Sequence, residues 1–186
     1  SWDTNPGKIW GRFVKPDGTF SGHKFEIFTD SGGATYFYQN SLLGYDSIKK
    51  KFVFVWEYRN PETNVSLITI SDTGVPGTRI DVTNDHGVMK NWAPSMAVKE
   101  KSGVSEYCVF YDLRNEAGAV VRKVNSTTGI VGPETFVTNA LATTDTNIVY
   151  NPTTNKYLTT WSENYSTVKG KILNSCNGND GGQPFS

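Results

Sequence analysis

A run of apolar residues ending on an aromatic recurs along this chain. It reads Phe52-Val53-Phe54-Val55-Trp56-Glu57, then Tyr107-Cys108-Val109-Phe110-Tyr111-Asp112, then Tyr157-Leu158-Thr159-Thr160-Trp161-Ser162. Ser1-Trp2-Asp3 matches the end of such a run. The anchors Trp2, Trp56, Tyr111 and Trp161 are 54, 55 and 50 residues apart by subtraction. Self-similarity at that period marks modules that bury their apolar surface against their neighbours rather than alone.

Other signals keep the same phase. Each anchor leads through a polar loop to a short strand: Ile9–Val14, Val65–Ile70, Val120–Val124 and Val168–Leu173. Glycine-rich turns follow at 17–22, 73–77, 128–132 and 177–181, where glycine supplies positive-φ backbone. A second strand comes next, at Phe25–Thr29, Ile80–Asn84 and Phe136–Asn139, with Phe185 starting a fourth. A third strand, at Ser41–Tyr45, Ser95–Val98 and Asn147–Tyr150, precedes each anchor run. No long 3.6-residue apolar period is present, and aromatics make up 13% of the chain against two methionines. Both features favour sheets.

The expected fold is all-β, with β-propeller-like units of four short antiparallel strands. A β-sandwich or an open stack of sheets are the alternatives. Counted from the first strand, the single repeat domain 1–186 holds whole units at about 9–64, 65–118 and 119–167, a partial unit 168–186 and a fragment 1–8. The imperfect alternation suits strands covered on both faces. No stretch reads as a secretory leader, so the chain is expected to be mature, trimmed or an excerpt. The two end pieces do not sum to a fourth unit. Three readings follow: an excerpt of a longer chain, closure of the N-terminal fragment on the C-terminal strands of the same chain, or strand addition at the termini that links copies head to tail into a filament.

Lys+Arg and Asp+Glu both number 18. That balance, with no basic stripe, argues against a nucleic-acid partner. No apolar stretch approaches a membrane span of about 20 residues.

The order Gly-Arg-Phe, Asp-x-Gly, Gly-x-x-Phe, Pro-x-x-Ala-Val and Tyr-x-x-x-Trp, seen best at Pro94–Val98 and Ile148–Leu158, resembles the blades of secreted microbial multi-repeat β-propellers. The resemblance covers nearly the whole chain. It implies an architecture and little about function, because such blades serve adhesion, glycan binding and scaffolding alike.

Candidate sites are few. Trp2, Trp56, Tyr111 and Trp161 are expected to be structural anchors, since repetition argues packing. Asp3, Glu57 and Asp112 each follow an anchor, and repeated carboxylates suit a structural contact better than a glycosidase, whose acid belongs to one site. Trp10, Tyr36, Tyr38 and Trp92 are candidates for stacking on sugars. Asn64, Asn125 and Asn164 open sequons in expected loops or strand edges, and Asn174-Ser175-Cys176 is a weak fourth. His23 and His86 have no second ligand at metal spacing, so no metal or other cofactor is expected. Cys108 takes the place of Val53 and Leu158, which suits a buried free thiol; a bridge to Cys176 is the other possibility. The expected function is a non-catalytic extracellular or cell-surface structural or adhesive repeat, a glycoprotein with itself or extracellular glycans as partner. A carbohydrate-binding lectin is the rival, and a propeller glycosidase a distant one.

Overall fold

A computed structural model describes residues 7–29, 36–59, 63–83, 91–113, 118–140, 143–177 and 182–186, with backbone alone for 36–40, 58, 59, 63, 91 and 92. Among the described residues there is no helix. Thirteen strands form several small antiparallel sheets: β1 (Lys8–Val14), β2 (Phe20–Thr29), β3 (Tyr36–Asp46), β4 (Lys51–Arg59), β5 (Thr63–Ser71), β6 (Ile80–Asp81), β7 (Asn91–Lys101), β8 (Val104–Leu113), β9 (Ala119–Asn125), β10 (Thr135–Thr138), β11 (Thr143–Asn151), β12 (Lys156–Glu163) and β13 (Thr167–Leu173).

Sheet 1 is β1-β2, sheet 2 is β3-β4-β5-β6, sheet 3 is β7-β8-β9-β10 and sheet 4 is β11-β12-β13. The expected first, third and anchor strands of the three whole units are present; of Ile80–Asn84 only Ile80–Asp81 is strand, Phe185 makes an isolated bridge, and the run at Ser1–Asp3 lies outside the described residues. Strand β2 is longer than expected, because a tight turn in which Gly18 N donates to Lys15 O lets Phe20–Gly22 join it. The hydrogen bonds group strands half a unit out of step with units counted from the first strand. A sheet runs third, anchor, first, second. Strand β13 pairs with β12, and Phe185 forms a bridge to Gly170 with two backbone hydrogen bonds of 2.8 and 2.9 Å.

The sheets stack in chain order through three apolar layers. Ile27, with Ile9, Phe25 and Phe28, packs on Trp56, Ile68 and Ile70 between sheets 1 and 2. Val53, Val55, Val65 and Leu67 meet Tyr107, Val109, Tyr111 and Val120 between sheets 2 and 3. Cys108, Phe110 and Val121 meet Ile148, Tyr157, Trp161 and Leu173 between sheets 3 and 4. The two-residue period of a strand explains the partition. Phe52, Phe54 and Trp56 point back to sheet 1, and Val53 and Val55 point forward to sheet 3. Covered on both faces, β8 is buried from Cys108 to Leu113 without alternation.

Candidate functional site

The anchors occupy one geometric position. Trp56, Tyr111 and Trp161 lie on the central strand of their sheets and face the preceding sheet, each 1% exposed or less. Trp2 lies outside the described residues.

The residue after each anchor points the other way. Glu57 and Asp112 are almost fully buried, facing the following sheet. The Oε2 of Glu57 accepts from the backbone N–H of Ala93 at 3.5 Å, and the Oδ1 of Asp112 accepts from the Thr143 hydroxyl at 2.6 Å. A buried carboxylate is tolerated only with such donors. Sequence reading missed that these partners lie on the next sheet. Asp3 lies outside the described residues.

Where the carboxylates reach across, β3, β7 and β11 each carry a register break, at Phe37/Ser41, Trp92/Ser95 and Thr144/Asn147. Ala93 and Asp145 take equivalent positive-φ positions of 48° and 52°. The breaks line a cleft of about 270 Å³ bounded by Ser41, Leu42, Pro94, Ser95, Asp145 and Asn147, among others. Thr146 donates to the Ala93 carbonyl across it. No sequence signal marked this cleft, because it needs three strands 50 residues apart to align.

A second cluster sits between sheets 3 and 4. Glu106 accepts from the Tyr157 hydroxyl at 3.0 Å and pairs with Lys123 at 3.0 Å and Lys99 at 3.3 Å. Burial pushes the Glu106 carboxyl up, but the hydrogen bonds from Lys123 and Tyr157 and the charges of both lysines outweigh it, holding it below its ordinary value. Burial, then the Glu106 charge, raises the Tyr157 phenol far above its usual range. Tyr107 is raised likewise by burial and by Asp46, to which it donates at 2.9 Å.

Of the candidate stacking residues, Trp10 is exposed on the outer face of sheet 1 (45%). The ammonium groups of Lys24 and Lys8 lie 4.6 and 5.6 Å from its ring centroid, and the Arg12 guanidinium lies 4.1 Å from that of Phe20. Tyr36, Tyr38 and Trp92 lie in strands, but their side chains are outside the described part. The sequons differ in setting. Asn125 is exposed at a turn, its Oδ1 accepting from the N–H groups of Thr127 and Thr128. Asn164 is exposed in the β12–β13 turn at φ 50°. Asn64 lies within β5 rather than in a loop, accepts from the Thr83 hydroxyl, and its Ser66 is fully buried.

Cys108 is not a free thiol. It forms a disulfide with Cys176, Cα atoms 5.6 Å apart, and both residues are buried. The chain end folds back along sheet 4 and brings Cys176 to the forward face of β8. No group of three or more His, Cys, Asp or Glu side chains able to hold a metal occurs among the described residues. No helix among them is long and apolar enough to cross a membrane. No family model matches the chain, and no curated protein matches it.

Proposed function

We propose that this chain is a non-catalytic extracellular structural or adhesive module whose sheets are blades of a β-propeller-type repeat. The observation that carries the reading is the use made of the repeated chemical groups. Glu57 and Asp112 hold the next sheet's backbone and hydroxyl, and the anchor aromatics fill the layer behind. A glycosidase needs two carboxylates facing one bond; these two sit in separate interfaces. The blade reading is supported by the neighbouring of β3, β7 and β11, which are end strands of successive sheets brought side by side, as inner strands round an axis are. The buried disulfide is consistent with an oxidising, extracellular compartment.

A lectin reading has one specific observation behind it. Trp10 breaks the packing pattern and offers an exposed ring between two ammonium groups, a platform for a sugar face.

The full chain, assayed on a panel of chromogenic glycosides and on a glycan array, is expected to give background turnover. Turnover lost in Glu57→Gln or Asp112→Asn would sink the non-catalytic reading. A specific array hit abolished by Trp10→Ala would move the function from scaffold to lectin.

A further inference from the structure

The outward face of sheet 4 is built like an interior face. Val149, Leu158 and Ile172 form one row across its three strands, since Val149 pairs with Leu158 and Leu158 with Ile172. Val168 lies on the same face, and Phe185 packs over Gly170, where an added Cβ would meet its ring at 2.9 Å. Val149, Val168 and Ile172 are 56%, 67% and 45% exposed, and Leu158 and Phe185 are also exposed. Leu158 stands three residues before its anchor, as Val53 and Cys108 do, and Val168 pairs with the residue after its anchor, as Val65 and Ala119 do. Those four residues are fully buried under the following sheet. The exposed face thus continues the series of interfaces inside the molecule.

We propose that this face docks on the same face of a second copy, giving a two-fold dimer. Charge decides between the possible faces. The sheet 4 row is uncharged among the described residues: its same-face neighbours are Thr144, Thr160, Ser162 and Asn147, with Lys156 at one rim and the Asp145 carboxylate, which accepts from the Thr144 hydroxyl at 3.1 Å, at the other. Among the described residues, the outer face of sheet 1 carries Lys8, Arg12 and Lys24 against the single carboxylate of Glu26. Covering those three cations with a face whose acid, Asp145, lies at its edge costs desolvation with little return. The sheet 4 face meets no such penalty against itself, and an isologous contact closes at two subunits. Three strands at about 4.8 Å spacing and about eight residues long make a patch on the order of 14 by 26 Å. Doubled over two partners it buries roughly 700 Å², less than the roughly 1,000 Å² of a stable specific interface, which suits a weak, reversible dimer. The two sheet 1 faces are left pointing outward at opposite ends, so any Trp10 ligand is met twice.

Analytical ultracentrifugation of the full chain over a wide concentration range tests this. The expected species is twice the 20.6 kDa chain, in reversible exchange with monomer. Leu158→Lys and Ile172→Lys, at exposed positions, are each expected to raise the dimer dissociation constant at least about tenfold with circular dichroism and melting temperature of the monomer unchanged. Trp10→Ala is expected to leave the dimer intact. A wild-type chain monomeric at every concentration overturns the proposal, as does growth beyond the dimer that Trp10→Ala or Phe20→Ala blocks, which would establish head-to-tail stacking instead.

Discussion

The interface between sheets 1 and 2 and the one between sheets 3 and 4 use the same repeat differently. The first is apolar, aromatic rings packed with Ile9, Ile27, Ile68 and Ile70. Phe13, Phe25, Phe28, Phe52, Phe54 and Trp56 touch at centroid distances of 5.2 to 5.8 Å, and most of these rings are only partly buried. The second has eleven buried residues, a disulfide, the Asp112–Thr143 hydrogen bond and the Glu106 cluster. Apolar contact is non-directional, so it holds a sheet without fixing its register. Buried polar ties are directional and costly to leave unmade. Sheet 4 is thus locked to sheet 3, and sheet 1 is held by area.

The largest expected effect is on the disulfide. It closes 68 residues of chain, so the chain-entropy relation gives about 4 kcal/mol for its loss. Cys108→Ala with Cys176→Ala should lower the chemical denaturation midpoint accordingly, and hydrogen exchange should rise in β11–β13 before β4–β5. Uniform exchange across all sheets would show that the lock is not local.

Next come the anchors. Trp161 donates from Nε1 to Glu163 at 3.1 Å, whereas the buried Nε1 of Trp56 has no hydrogen-bond partner among the described residues. Trp161→Phe loses ring volume and a hydrogen bond, about 2–3 kcal/mol. Trp56→Phe loses volume but removes an unpaired donor, so about 1 kcal/mol or less is expected. Equal costs by urea melts would contradict the difference drawn between the two interfaces.

A smaller effect is expected at the carboxylate tie. Asp112→Asn keeps the shape and weakens a charge-assisted bond, about 1–2 kcal/mol. The double mutant with Thr143→Val should be less destabilised than the sum of the singles. Additivity would mean that the hydroxyl is not the partner that matters.

The subtlest effect is on pH dependence. The folded Glu106 carboxyl titrates below its ordinary 4.5, so its contribution is full above that value and fades as pH falls through the lower folded one. Tyr107 and Tyr157 are raised from 10; their contribution is full below 10 and fades above it as the unfolded chain ionises. Melting temperature against pH should fall at both ends. Glu106→Gln should flatten the acid limb, and an unaltered acid limb would assign it to other carboxylates.

Much of the fold was legible because strand chemistry is local. The two-residue alternation of Phe52 to Trp56 places every second side chain on one face, and the 50-residue recurrence places three anchors at one position. The imperfect alternation pointed to strands covered on both faces, and the structure assigns that to β4 and β8. The candidate site was less legible. Trp10 was marked by type, but its lysine neighbours come from both β1 and β2, and the cleft at Ser41, Ser95 and Asn147 needs register breaks that leave no residue signature.

By itself, then, the sequence determined strand positions, turn positions and the inward aromatic at each repeat, since these depend on residues within a few positions of one another. Tertiary structure alone decided where one sheet stops and the next begins, because a periodic pattern has no intrinsic phase and only hydrogen bonding chooses one. It decided that Cys108 is bonded, because Cys176 is 68 residues away and only the return of the chain along β13 brings the two within bonding distance. And it decided that Leu158, identical in its repeat position to buried Val53, faces outward, because burial depends on what the next sheet covers and no side chain encodes its own neighbour.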